Sequence, residues 1–453
     1  MRLSIALLLL AACGIANAAD RTDAPEPATL YADATVIDGT GAAPKPHQDI
    51  LVRGERIVAT GAHGTLAAID TAGARHVDLR GRFVIPGLID SHVHMATPPN
   101  QSRARATLRR NLYGGVTAVR DMADDLRAVA ELAREARMAE IPAPDIYYAA
   151  LMAGPDFFAD PRVMVASEGV KPGTAPWMQA IDDSTDIAQA VTLARGTSAT
   201  AIKVYADLPP NLVAAIAREA HRQGLRVWAH SAVFPTRPGD VVAAGVDVAS
   251  HACYQAYEVQ PTIPQAYEDH TPVDETLLAA DGDDPVLARL YAQMRERGTL
   301  LDATGSLFVR YDALRKSNPK MRPLRCTGPA TIRIVRQAWK AGVPISTGTD
   351  DDGEREAIWP SVYDEIFFLV HDVGMDPLQA LHSATQVGAR AAAQDADMGT
   401  IEAGKLADFV VLAKDPSADI GNLRSIETTV KRGREYRRAD YRPITRREWG
   451  NED

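Results

Sequence analysis

Val84-Ile85-Pro86-Gly87-Leu88-Ile89-Asp90-Ser91-His92-Val93-His94-Met95 is an apolar run that ends in two histidines one residue apart. Read as a buried strand, it puts residues i and i+2 on one face. His92 and His94 then point the same way, and two imidazoles on one face can hold one metal ion. An isolated His-x-His also arises in ordinary turns, so the surrounding chain has to carry the reading.

Beyond this run the pattern is strand, then helix, repeated. Strands are expected over 115–121, 145–152, 201–207, 226–231, 246–251, 300–304 and 344–350. Helical spacing of apolar residues follows over 126–139 and 211–223. With the first run this makes eight strands alternating with helices, the signature of a closed parallel (β/α)8 barrel. Residues 154–184, rich in Pro and Gly, form an irregular insertion of the kind that serves as a lid. Two further helical stretches are expected over 357–373 and 377–394.

On the N-terminal side, residues 29–79 read as short strands broken by glycine turns, with a hairpin around Gly54-Glu55. The same texture returns over 398–412. Both ends together are expected to build one small β-sandwich satellite. The expected domains are 1–18 as a signal peptide, 19–81 with 396–453 as the satellite, and 82–395 as the catalytic barrel. The charged residues 437–453 are expected to be poorly ordered.

Composition bounds the partners. The chain has 453 residues, 46% hydrophobic and 24% charged, which is ordinary for a globular protein. A formal charge of −10, with no basic block interleaved with aromatics, argues against a nucleic-acid partner. Met1-Arg2-Leu3, the apolar run 5–12 and Ala16-Asn17-Ala18 read as an export signal too short to span a bilayer in a mature protein. A periplasmic or secreted protein is therefore expected. Leu10-Ala11-Ala12-Cys13 offers an alternative, a lipid anchor on Cys13. Cys253 and Cys326 permit one bridge, whose formation the sequence leaves open; Cys253 alone reads as a small buried thiol.

Five strand ends deposit groups able to bind metal or move protons: His92 and His94, Lys203, His230, His251 and Asp350. In a barrel of this type the active site is built at the C-terminal ends of several strands. Each group alone has a plain structural explanation. Six of them at strand ends are hard to attribute to chance.

This ordered set resembles the amidohydrolase superfamily, in particular its imidazolonepropionase-like branch with exported Xaa-Pro and Xaa-Arg/Lys dipeptidases. The resemblance rests on residues 86–94, on Ile202-Lys203-Val204-Tyr205, Ala229-His230, Ser250-His251 and Gly348-Thr349-Asp350, and on the return over 399–408. It implies two divalent ions, zinc being the expected metal, bridged by a carbon dioxide-derived carbamate on Lys203. His92, His94 and Asp350 would hold one ion, and His230 and His251 the other. A lysine ammonium has no lone pair for a metal, whereas its carbamate is a bidentate oxygen ligand. The implied reaction is hydrolysis of an amide in a dipeptide or N-acyl amino acid, by attack of a metal-bridging hydroxide with Asp350 as general base and then acid.

Tyr205, two residues past Lys203, is a candidate to contact the substrate carbonyl or its developing oxyanion. Arg310 is a candidate for a substrate carboxylate. Arg120 and Asp121 read as a supporting ion pair, Asp351 and Asp352 as the start of the next helix, and His221 as structural. His371 and His382 have no assigned role. The competing readings are a mononuclear deaminase or cyclic-amide hydrolase of the same superfamily, a lactonase or phosphoesterase, and a non-catalytic binding relative. Oligomeric state is left open.

Overall fold

The computed structural model describes residues 28–67 and 71–450. The expected export signal and Cys13 lie outside the described residues. The opening apolar run is two strands in two sheets. A first sheet takes β1 (Ala28–Val36), β2 (Lys45–Arg53), β3 (Arg56–Ala62), β4 (Arg75–Asp78) and β5 (Phe83–Pro86). A second begins with β6 (Leu88–Val93). Gly87 separates them. Its amide donates to the Asp408 carbonyl, and a Cβ there would lie 2.0 Å from the Thr117 hydroxyl, so only glycine fits the crossing.

The barrel continues through β7 (Val116–Asp121) and β8 (Asp145–Ala153). A short hairpin of β9 (Thr174–Ala175) and β10 (Met178–Ala180) extends β8. The remaining barrel strands are β11 (Ala201–Val204), β12 (Arg226–His230), β13 (Val248–Ser250), β14 (Leu300–Asp302) and β15 (Ile345–Ser346). From β6 to β15 the eight barrel strands pair in parallel in chain order. The Ser91 amide donates to Thr347 and the Asp350 amide to His92, drawing the end of the series back to β6. Strands such as β8, β11 and β13 are buried on nearly every residue, as a parallel sheet covered by helices requires. Several helices start where the sequence supplies a side-chain cap. Asp284, for example, accepts from the amides of Val286 and Leu287 ahead of the helix Pro285–Arg297.

Both chain ends share the first sheet, as expected. β16 (Phe409–Leu412), β17 (Ile426–Lys431) and β18 (Arg434–Arg437) complete it in the order β18-β17-β16-β5-β1-β2-β3, with β4 on β1. It is one continuous mixed sheet with its own core, which includes Tyr31, Ile50, Val84, Phe409 and Val430. The hairpin around Gly54 forms as read.

Three local expectations are corrected. Residues 441–450 are described and carry a helical turn, Arg446–Trp449, because Glu448 pairs with Arg109 at 2.8 Å. No helix starts at Asp351. That segment is a loop in which Asp351 pairs with Arg310 and Asp352 with Arg103, and the helix begins only at Val362. Arg120 and Asp121 do not pair, since neighbours on a strand face opposite ways. Arg120 reaches Asp302 instead, and Asp121 accepts from the Met95 amide.

Candidate active site

Five of the six expected groups (His92, His94, His230, His251 and Asp350) line one cavity of about 740 Å³ at the C-terminal ends of the barrel strands. Lys203 is wholly buried, and its charge is felt by His92, His230 and His251. Ring centroids lie 5.5 Å apart for His92 and His94, 4.8 Å for His92 and His251, and 4.7 Å for His230 and His251. Asp350 Oδ1 is 3.5 Å from His94 Nε2 and 3.8 Å from His92 Nε2. Its Oδ2 is 4.0 Å from His251 Nδ1. His251, Thr304 and Asp350 all take positive φ, at 69°, 47° and 50°. Such strain in residues other than glycine gathers where side-chain placement matters more than backbone comfort.

A buried outer ring aims the imidazoles. His92 Nδ1 donates to Asp302 at 2.8 Å, and His94 Nδ1 to Asp124 at 2.7 Å. A proton held on Nδ1 leaves Nε2 bare, the form a metal needs. His251 Nδ1 meets the Thr304 hydroxyl at 2.9 Å. Asp302 also accepts from Ser250 at 2.9 Å and Arg120 at 3.3 Å. The sequence reading passed over Asp302, Asp124 and Thr304. Asp302 had a visible signal, because it ends β14 as His230 ends β12.

Electrostatics follow from burial. Burial, then the nearby Lys203 charge, holds His92 well below the ordinary histidine range; burial also depresses His230 and His251. Burial opposes a charge on His94 too, but Asp124 and Asp350 override it and lift that group to about 9. Burial pushes Lys203 down to about 7, against the pull of Asp302 and Asp350. It raises Asp350, with His94 opposing.

These residues fit a metal. One ligand atom each from His92, His251 and Asp350 lies within 4.8 Å of the others. Lys203 Nζ, His230 Nδ1 and Asp302 Oδ1 are buried without a hydrogen-bond partner. Buried polar atoms are rarely left this way unless something binds them. An imidazole and carboxylate donor set suits zinc and similar divalent ions.

The remaining expectations divide. Tyr205 does line the cavity, its ring 4.0 Å from that of His230. Arg310 does not; it lines a neighbouring cavity of about 370 Å³ and pairs with Asp351 at 2.9 Å. Cys253 is bridged to Cys326 rather than a free thiol. The 154–184 insertion folds into two short helical turns and the β9–β10 hairpin, and adds Phe157, Arg162 and Met178 to the wall. Tyr254, Tyr267, Arg322 and Arg325 complete it from loops whose sequence carried no periodic signal.

The fold and this site define a barrel hydrolase, and the comparisons agree. The amidohydrolase family model matches residues 83–436, and the chain belongs to that family. The family is metal-dependent, and the chain is a hydrolase acting on carbon–nitrogen bonds. The chain is 26% identical to an imidazolonepropionase of Cutibacterium acnes over 386 residues, 80% of this chain and 83% of that one. A D-hydantoinase of Streptomyces coelicolor is 35% identical over 96 residues, 20% of this chain and only 21% of the relative's length. Among solved structures, a Xaa-Pro dipeptidase with bound methionine superposes with TM-score 0.71 at 21% identity, covering 90% of this chain and 100% of that one. No helix among the described residues is long and apolar enough to cross a membrane.

Proposed function

We propose that this chain is an exported, binuclear metal-dependent hydrolase that cleaves the amide bond of a dipeptide or N-acyl amino acid. The observation that carries the reading is Lys203, a wholly buried amine with no hydrogen-bond partner beside the histidine cluster. As an ammonium it would be an unpaired buried charge; as a carbamate it becomes a ligand that can bridge two ions. His92, His94 and Asp350 would hold one ion and His230 and His251 the other, with the carbamate shared. Divalent ions held there would polarise a carbonyl and acidify water.

The chain's own groups do the rest. Asp350 sits where a carboxylate can take a proton from water and return it to a leaving amine. Tyr205 stands beside His230, placed to donate to the oxygen of the carbonyl under attack. The Cys253–Cys326 bridge accords with an oxidising, extracytoplasmic compartment. The dipeptidase named among the solved structures accords with a small amide substrate.

A second reading, a mononuclear hydrolase of the same family, has the compact His92, His251 and Asp350 cluster and the imidazolonepropionase relative in its favour. Metal analysis of protein purified without chelator separates the two. About two equivalents per chain are expected, and Lys203→Ala should bind about one and lose activity, with partial rescue by short carboxylic acids. One equivalent, indifferent to that substitution, overturns the binuclear site. A zinc-loaded screen of dipeptides and N-acyl amino acids tests the bond cleaved; turnover confined to lactones or phosphoesters overturns the amide assignment.

A further inference from the structure

The wall of the active cavity carries an unbalanced charge. Among the described residues that line it, Asp350 is the one carboxylate, whereas Arg162, Arg322 and Arg325 all face inward. Arg162 is neutralised by a two-pronged pair with Asp160, Nε to Oδ1 at 3.0 Å and Nη2 to Oδ2 at 2.6 Å. Among the described residues, neither of the other two has a carboxylate within ion-pair reach. Arg325 is 7% exposed and donates to the carbonyls of Tyr267 and Asp269 and to the Tyr257 hydroxyl, at 2.6, 3.0 and 3.2 Å. Its guanidinium also lies 5.4 Å from the Tyr254 ring and 5.5 Å from the Tyr267 ring. Carbonyl oxygens and ring faces satisfy the donors of a buried cation but leave its charge in place.

Arg322 stands three residues away on the exposed rim, with no hydrogen bond to any of the described residues to hold its fork. The nearby anions are already engaged. Asp160 is taken by Arg162 and Glu268 lies 3.6 Å from His270, while Asp269, which accepts from Thr271, offsets part of the Arg325 charge and leaves Arg322 the less balanced of the two. The pair of arginines is one aromatic layer from the reacting centre, since Tyr254 and Tyr267 are 5.5 and 6.0 Å from the His230 ring. The segment that carries them is anchored at Cys326 to Cys253, two residues past His251. This puts a fixed positive patch beyond the site where the amide would lie.

We propose that Arg322, with the charge of Arg325 behind it, recognises a second anionic group on the substrate, remote from the scissile amide. The inference rests on the amide-hydrolase reading above and narrows its substrate class to dipeptides or N-acyl amino acids bearing an acidic side chain. Arg322 offers the free planar fork that grips a carboxylate from two sides, while the donors of Arg325 are spent on the protein. The same patch repels a cationic side chain, which sets Xaa-Arg and Xaa-Lys dipeptides aside.

The test compares Ala-Glu, Ala-Gln and Ala-Lys as substrates of the zinc-loaded full-length enzyme. The glutamate peptide should exceed its amide isostere by about tenfold or more in kcat/KM, mainly through KM, with the lysine peptide below both. Arg322→Glu, an exposed change, should move the Lys-to-Glu ratio by at least about tenfold toward lysine. Equal turnover of all three, or a ratio unmoved by Arg322→Glu, overturns the inference and leaves amide hydrolysis intact. If no amide is turned over, the broader reading falls, and calorimetric titration with L-glutamate against L-glutamine still decides the arginine site. Tighter glutamate binding, lost in Arg322→Glu, supports it; no preference overturns it.

Discussion

At the scale of single residues, the imidazoles are only as useful as the groups that aim them. Asp302 touches His92, Ser250 and Arg120 at once, so Asp302→Asn should weaken metal affinity by about 10- to 100-fold while the barrel still folds. Competition with a chromogenic chelator measures it; unchanged affinity would remove Asp302 from the site. The six strand-end groups were legible because a parallel barrel turns strand spacing into proximity. Asp124 and Thr304 were not, because they reach His94 and His251 from loops, where no period reports direction. Arg162, Arg322 and Arg325 were hidden for the same reason.

The strands and their junctions impose constraints of another kind. Gly87→Ala would drive a methyl group into Thr117 at the crossing between the two sheets. Overpacking there should cost about 1–3 kcal/mol, read as a lower urea midpoint. At the same seam Asp408 is buried beside Asp145, with Oδ2 unpartnered; burial first, then the Asp145 charge, lifts it to about 7. A carboxyl raised on folding lends stability at low pH and loses it as pH climbs through about 7. Asp408→Asn removes that loss, so its melting temperature should rise above the parent's at pH 8, with the gap narrowing as pH falls and closing only near pH 4, the ordinary carboxylate value. Parallel melting curves across that range would show that Asp408 does not titrate there. The sequence pattern yielded strand positions but not the split of the opening run, since a continuous apolar stretch carries no mark of which sheet claims each half.

For the molecule as a whole, the alternation of strand and helix already dictated a barrel, and the β texture at both ends dictated a shared satellite. What could not be read were contacts between distant loops. The Cys253–Cys326 bridge, 73 residues apart in sequence, ties the helical turn just past His251 to the segment that carries Arg322 and Arg325. Replacing both cysteines with serine should cost about 2–4 kcal/mol and raise KM more than it lowers kcat. An unchanged KM would mean the bridge braces the fold without shaping the pocket. The first sheet has a temporal consequence as well. β5 lies between β1, about fifty residues before it, and β16, more than three hundred after it. During synthesis β1 to β5 therefore wait with an open edge until β16 arrives more than three hundred residues later, so a sheet begun before the barrel is finished only after it.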